Sequence, residues 1–208
     1  MGEPARCQEL TYADYLAFEA ESQERHAFHD GEMFAMAGGS PAHALLGSNA
    51  MGALRAGLVD RPCFASSSDQ RVRIDNENAV YPDAVVICPP VATSPTDPDA
   101  ITNPTVIVEV MSPSSASWDR DGKFKLYARL ASLQHYLLVA ATHWEVDHFR
   151  RLADGSWRMS THGPGDAIDL DAIGVRLAVD EIYAKIEAAG GPARTAARPA
   201  GPAKSPQD

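Results

Sequence analysis

Two carboxylates and a lysine stand in sequence contexts where their side chains could do chemistry. Glu109 lies inside the nearly continuous apolar run 106–111, and Asp83 opens a second such run, 83–88. Runs of this kind are typical of buried strands. Burying an ionised carboxylate is costly unless the group is paired or binds a metal. Together with Lys123, which follows on a helix-like stretch, the two carboxylates predict a metal-dependent hydrolytic site.

Antiparallel pairing of the two runs would bring both carboxylates together, because Asp83 begins one strand and Glu109 lies near the end of the other. Two carboxylate oxygens, a backbone carbonyl and waters suit Mg²⁺, with Mn²⁺ as an alternative. The metal would polarise a phosphoryl oxygen and lower the pKa of an attacking water. The structural alternatives are a strand-end cap for Asp83 and a buried pair with an arginine for Glu109.

A lysine-bearing helix is predicted over about 118–131. Asp119, Lys123 and Tyr127 recur every four residues and so share one face of it. Lys123 could enter the site, where it would orient water or neutralise charge on a phosphorane. It could also form a surface ion pair worth about 0.3–0.5 kcal/mol beside a packed aromatic ring. The spacing leaves both interpretations open.

The rest of the chain supplies the elements that would position these groups. Helices are predicted from an N-cap at Thr11, from an N-cap at Ser40 to about residue 59, and over 179–188, and a hairpin turns at Asp30-Gly31. Further predictions are short strands near 62–66 and 69–74, a Pro-rich loop over 89–104, and strands over 135–140, 144–151 and 157–160. This order indicates a mixed α/β or α+β fold with helices on the faces of a mixed sheet.

Composition limits the classes of protein. The 208 residues, 45% hydrophobic, are enough for one domain, expected over 1–189, and the Pro/Ala/Gly-rich segment 190–208 is expected to be disordered. The net charge of −10 argues against a broad basic face for nucleic acid, although metal-binding carboxylates contribute to it. No apolar run approaches the roughly 18 residues of a membrane span. The three cysteines show no paired spacing, which favours free thiols and a cytoplasmic location.

Several motifs occur together in a recognisable order. They are Glu24 with His29-Asp30-Gly31-Glu32, Ser40-Pro41-Ala42-His43, Tyr81-Pro82-Asp83, Val108-Glu109-Val110-Met111-Ser112-Pro113-Ser114, and Asp119 with Lys123 and Tyr127. Over roughly residues 10–185 the chain resembles a large bacterial family of restriction-endonuclease-like proteins of unknown function, within the PD-(D/E)XK nuclease superfamily. The resemblance implies a restriction-endonuclease-like core and Mg²⁺-dependent phosphodiester cleavage.

The resemblance also implies roles for individual residues. Asp83 and Glu109 match the two acidic positions of the motif. The superfamily's usual lysine would stand at Met111, and in this family it moves to the next helix, where Lys123 matches. Glu32 matches an early acidic residue that either completes the metal shell or caps a strand end.

The remaining matched positions have accessory roles, and at one position the chain differs from the family pattern. His43 could contact a phosphate or act in proton transfer, or could pack at a helix N-terminus. Ser112 could bond the backbone after the active strand or touch substrate. Family members tend to carry an acid where Ala140 stands, which leaves room for a degenerate site.

We therefore expect a cytoplasmic, homodimeric endonuclease acting on nucleic acid, with DNA as the expected substrate. The alternative is a catalytically inactive nuclease-fold protein that binds nucleic acid or another protein.

Overall fold

The computed structural model describes residues 10–36, 39–111 and 122–194. Its helices are α1 (Tyr12–Glu21), α2 (Pro41–Gly57), α3 (Phe124–Tyr127), α4 (Val179–Ile182) and a 3₁₀ helix (Ile186–Ala189). The strands of the first half are β1 (His26–His29), β2 (Glu32–Ala35), β3 (Phe64–Ser67), β4 (Arg71–Arg73), β5 (Asn78–Val80), β6 (Ala84–Ile87), β7 (Thr93–Ser94) and β8 (Asp97–Ile101). Those of the second half are β9 (Pro104–Met111), β10 (His135–Ala140), β11 (Val146–Arg151), β12 (Trp157–His162), β13 (Ala167–Leu170) and β14 (Val175–Ala178).

The strands form two large mixed sheets and one ribbon. The first sheet has the order β2-β1-β5-β4-β8-β7 and the second the order β12-β11-β10-β9-β6-β3, while β13 and β14 pair separately. Each large sheet contains one parallel pair, β4–β8 or β9–β10, among antiparallel neighbours. The mixed α+β fold class is confirmed, although the strands are divided between two large sheets where one was predicted.

Local sequence explains why the leading elements form. Thr11 caps α1 through a capping box, in which its hydroxyl accepts from the Asp14 backbone N–H while the Asp14 carboxylate accepts from Thr11. Ser40 caps α2 by accepting from the backbone N–H of the third helical residue, and Pro41 fits the first position, where no N–H is needed. Asp30 and Gly31 both have positive φ, as the tight turn between β1 and β2 requires.

The second sheet is covered on both faces, which buries its central strands. One face packs on α2, the β13–β14 ribbon and α4, through alternate residues of β9 such as Val106 and Val108. The other face packs on the first sheet and on α3, through the intervening residues such as Ile107. Glu109 occupies this second face of β9, so its carboxylate is buried by the same alternation that builds the core.

Some predicted elements differ from those observed. The loop predicted over 89–104 contains the β7–β8 hairpin. The strand predicted over 144–151 is β11, which lies between β10 and β12 although it carries several polar residues. Its polar side chains bond to those of the two flanking strands: His148 Nε2 lies 3.0 Å from Nδ1 of His135 in β10, and Asp147 accepts from the Thr161 hydroxyl of β12 at 2.7 Å. The β13–β14 ribbon was not predicted.

The segment predicted as a tail from 190 onward begins with packed residues. Trp144 Nε1 donates to the Pro192 carbonyl at 3.0 Å, and Arg194 forms an ion pair of 2.6 Å with Asp180. The prediction that the chain is disordered from residue 190 onward is therefore wrong for residues 190–194. Residues 195–208 lie outside the described part of the chain.

Two of the three cysteines form a disulfide, so free thiols at Cys63 and Cys88 are a wrong prediction. The β3–β6 register pairs Phe64 with Ile87, which places the cysteine before one strand directly opposite the cysteine after the other. The 25-residue separation could not reveal this pairing without the register. The cytoplasmic location loses its support from cysteine usage. In the described ranges, no helix is long and apolar enough to cross a membrane.

Candidate active site

The strand pairing that would join the two carboxylates is present. Strands β6 and β9 are antiparallel, with Ala84 opposite Val108, and continuing that register by one residue sets Asp83 opposite Glu109. On its other side β9 is parallel to β10, with Glu109 opposite Leu138. The two acids therefore lie on adjacent central strands, which confirms the predicted antiparallel pairing.

Glu109 is 3% exposed, and both of its carboxylate oxygens have protein partners. Tyr127 donates its hydroxyl to Oε1 at 2.7 Å, and Lys123 Nζ donates to Oε2 at 2.9 Å. Burial raises the pKa of Glu109 from 4.5 to about 7, the charge of Lys123 acts to lower this pKa, and the charge of Asp83 acts to raise it further. The carboxylate therefore lies near its titration point at neutral pH.

Asp83 is the more open of the two carboxylates. Its side chain is 22% exposed, and its Oδ2 accepts from the backbone N–H of Val110 at 2.7 Å. Helix α2 passes close to it at Gly47, where a Cβ would lie 3.6 Å from that of Asp83. Asp83 does help to hold the strand that carries Glu109, as the strand-cap alternative proposed, but it also lines a cleft open to solvent.

His43 contacts the same residue of β9 from the first turn of α2. Its Nε2 donates to the Val110 carbonyl at 3.0 Å and lies 3.9 Å from Asp83 Oδ2. Because a carbonyl only accepts, this contact requires the proton on Nε2. Asp83 and His43 thus bind both backbone groups of Val110, the residue that follows Glu109, and fix the position of Glu109.

Lys123 and Tyr127 reach Glu109 from a short helical segment. A π turn at 122–123 leads into α3, which ends at Tyr127, so the helix predicted up to 131 is shorter than expected. One face of this segment does present both side chains, as their spacing predicted, and the lysine points to Glu109 rather than to a surface partner alone. Burial raises the pKa of Tyr127 well above 10, so its hydroxyl stays a donor.

Of the remaining predicted site residues, Glu32 lies apart from this cluster, and two fall outside the described part of the chain. Glu32 is exposed at the start of β2, in the first sheet, and is absent from the described residues that line the cleft around Asp83. Ser112 and Asp119 lie in 112–121, outside the described residues. Ala140, which stands where family members tend to carry an acid, is buried at the end of β10.

The cleft that holds Asp83 and His43 has a volume of about 1050 Å³. Its wall includes Glu19, a residue of α1 that was not among the predicted site residues. The Glu19 side chain is 9% exposed and accepts from the Tyr81 hydroxyl at 2.9 Å and from the backbone N–H of His26 at 3.1 Å. The signal available in the sequence was an acid on the same stripe of α1 as Tyr12 and Tyr15.

The donor set at this site fits a hard cation. Within the described ranges no three His, Cys, Asp or Glu side chains converge, so a metal would be held by Asp83, Glu109, a carbonyl such as that of Val110, and water. These are oxygen ligands, which Mg²⁺ prefers. The carboxylates of Asp83 and Glu109 are close enough for one to raise the pKa of the other, and a cation between them would relieve that repulsion.

Two known proteins are similar to the chain in sequence over most of its length. The chain is 37% identical over 175 residues to the uncharacterized protein slr1290 of Synechocystis, which covers 84% of this chain and 91% of that protein. It is 34% identical over 152 residues to a second Synechocystis protein, sll1609, which is also uncharacterized, with 73% and 86% covered.

One solved structure shares the fold. It is described as a "putative nuclease belonging to DUF820" from Anabaena variabilis, and it matches with a TM-score of 0.70 at 12% identity, over 85% of this chain and 99% of that one. A family model matches residues 12–180, nearly the whole described fold. The chain belongs to the Uma2 family, whose model is described as "Putative restriction endonuclease".

Proposed function

We propose that the protein is a Mg²⁺-dependent endonuclease that hydrolyses phosphodiester bonds of nucleic acid, with DNA as the expected substrate. The observation that carries this proposal is Glu109, a buried carboxylate held between Lys123 and Tyr127 on the strand next to Asp83. A carboxylate with a pKa near 7 beside a second carboxylate is an unfavourable way to stabilise a core and a suitable way to bind a cation.

Each residue has a distinct part in the proposed reaction. Asp83 and Glu109 would hold the metal, which when bound polarises the phosphoryl oxygen and acidifies a water. Lys123 orients the attacking water beside Glu109 and offsets the negative charge that develops on the phosphorane. The water oxygen forms the new bond to phosphorus and releases its proton to solvent. The bond from phosphorus to the leaving sugar oxygen breaks, and that oxygen takes up a proton from solvent. Tyr127 and His43 position Glu109, the first through its hydroxyl and the second through the Val110 carbonyl.

The test combines metal binding with cleavage. Isothermal calorimetry with Mg²⁺ and Mn²⁺ would be run on the wild type, D83N and E109Q, alongside cleavage assays on mixed-sequence DNA and RNA. We expect metal binding and cleavage in the wild type, and loss of both in each variant. E32Q is the matched control, because it removes an exposed acid that does not line the cleft. If E32Q also abolished metal binding, Glu32 would belong to the metal shell as its family position suggests.

One observation favours a second candidate, a nuclease-fold protein without catalysis that binds nucleic acid or a protein. Both oxygens of Glu109 already have protein donors, so its burial does not require a metal. The same calorimetry separates the two candidates, because a wild type that binds no divalent metal would favour the second. A homodimer and a cytoplasmic location stay predictions; light scattering on the purified chain tests the former.

A further inference from the structure

The described lining of the cleft around Asp83 is poor in positive charge. Its described lining residues include five acids and two arginines, namely Glu19, Glu24, Asp69, Asp83, Asp99, Arg25 and Arg71. The net charge of the chain is −10, so a polyanion receives little long-range attraction from the protein as a whole. Any phosphate contact in this cleft therefore depends on particular side chains.

Arg71 is already committed to other groups. It is 9% exposed and binds the Asp97 carboxylate through Nε at 2.8 Å and through a terminal nitrogen at 2.6 Å. Its other terminal nitrogen donates to the Tyr81 hydroxyl at 2.9 Å. Breaking this buried pair would leave an uncompensated charge in the core, so Arg71 supports the cleft wall and does not turn to a ligand.

Arg25 is in the opposite situation. Its side chain is 51% exposed, and its ion-pair partner, 2.8 Å away, is Asp69, whose side chain is 68% exposed. Pairs between such exposed groups contribute little stability, because water solvates both charges nearly as well. A phosphate that offers two oxygens to the planar guanidinium can therefore replace this carboxylate.

The backbones at both ends of the pair are held in place. The Arg25 carbonyl accepts from the backbone N–H of Met36 at 2.8 Å, which fixes the connection between α1 and β1. On the opposite side, a turn between β3 and β4, closed by Gln70 N donating to the Ser67 carbonyl at 3.0 Å, carries Asp69. Both side chains line the cleft, so the pair bridges two of its walls.

We propose that Arg25 is a binding position for a backbone phosphate of the nucleic-acid substrate, and that Asp69 competes with that phosphate for the guanidinium. The inference rests on the proposed function and adds to it the residue that contacts the substrate backbone. A contact to phosphate gives affinity without sequence preference. It also makes binding sensitive to salt.

The test measures binding of a fluorescein-labelled, mixed-sequence DNA duplex by anisotropy over a series of KCl concentrations. The binding buffer contains Ca²⁺ in place of Mg²⁺, because Ca²⁺ also binds oxygen ligands. We expect R25Q to raise the Kd roughly fivefold, the factor of a strong exposed ion contact. The slope of log Kd against log salt should fall by about 0.9, the value for one lost phosphate contact. D69N should change Kd in the opposite direction, because it frees Arg25.

The matched control is an exposed pair outside the cleft, Arg194 with Asp180 at 2.6 Å. R194Q and D180N change the net charge by the same amounts as R25Q and D69N, and we expect Kd to stay nearly unchanged in both. If R25Q and D69N shift Kd in the same direction, or if the control pair shifts it equally, the inference is wrong. If the wild type cleaves DNA and the variants give either of these results, the inference about Arg25 is overturned and the proposed function stands. A wild type that neither binds nor cleaves nucleic acid overturns the proposed function with it.

Discussion

Replacing Glu109 with glutamine should stabilise the metal-free protein at neutral and alkaline pH. The folded-state pKa of Glu109 is about 7 and its ordinary value is 4.5, so the folded protein binds the proton more tightly than the unfolded chain does. The favourable contribution of the protonated group is complete below pH 4.5 and is lost as pH rises through about 7. This difference between the two pKa values corresponds to about 3 kcal/mol in the free energy of unfolding. Glutamine keeps the shape and an acceptor for Tyr127 without the ionisation.

The assay is urea unfolding of wild type and E109Q in EDTA at a series of pH values, followed by tryptophan fluorescence. We expect the free energy of unfolding of E109Q minus that of wild type to increase by about 3 kcal/mol between pH 4.5 and pH 8. This difference isolates one group. Burial also lowers the pKa of His135 and His148 from 6.5 to about 4, which makes stability rise with pH, but both variants share that effect.

Two parallel stability curves would refute this reasoning, because they would mean that Glu109 titrates in the folded protein as it does in the unfolded chain. A difference that grows toward acid pH would also contradict it, since that sign requires a lowered pKa. Any constant offset between the curves reports the packing of the glutamine and carries no information about the ionisation. If the proposed function is right, the more stable variant is also the inactive one, a trade between stability and activity.

Two further predictions use the same unfolding assay. Y127F should destabilise the protein at pH 8 by about 1.5–3 kcal/mol, because it removes a hydrogen bond to the charged carboxylate of Glu109. The control Y15F loses a 2.9 Å hydrogen bond to the neutral His26 carbonyl and should cost about 0.5–1.5 kcal/mol. Equal losses of stability in the two variants would contradict the charge on Glu109. C63S should destabilise the oxidised protein by about 3.5 kcal/mol, the loop-entropy value for a bridge over a separation of 25 residues, and dithiothreitol should abolish its difference from wild type. A C63S effect that persists under reduction would assign the loss to packing instead.

Local rules predicted the elements that depend on short stretches of chain. The Thr11 and Ser40 caps, the Asp30-Gly31 turn and the two apolar runs were confirmed, because each rests on hydrogen bonds or burial within a few residues. The antiparallel pairing of β6 with β9 was also predicted and is confirmed, whereas its register was left open by the sequence.

Features that depend on contacts between residues far apart in the sequence could not be predicted from local rules. The Cys63–Cys88 bridge follows from the pairing of β3 with β6, and the buried state of His148 follows from the two strands that flank β11. Glu19 looked like an ordinary helical acid, because its partners, Tyr81 and His26, lie on other elements. In each case the environment was created by tertiary contacts that local propensity does not encode.

The two protein donors on Glu109 are compatible with metal binding when its lone pairs are counted. A carboxylate offers about four acceptor positions, and Tyr127 and Lys123 use two of them. Among the described residues of this cluster, the negative charges of Asp83 and Glu109 exceed the positive charge of Lys123 when no cation is bound. The charge of Asp83 adds to the effect of burial in raising the pKa of Glu109 to about 7. A divalent ion would compensate that excess and favour the ionised form, so metal affinity should increase with pH up to about 7. The donors would then fix the carboxylate in one orientation, and the unfavourable burial would be the source of the affinity for the cation.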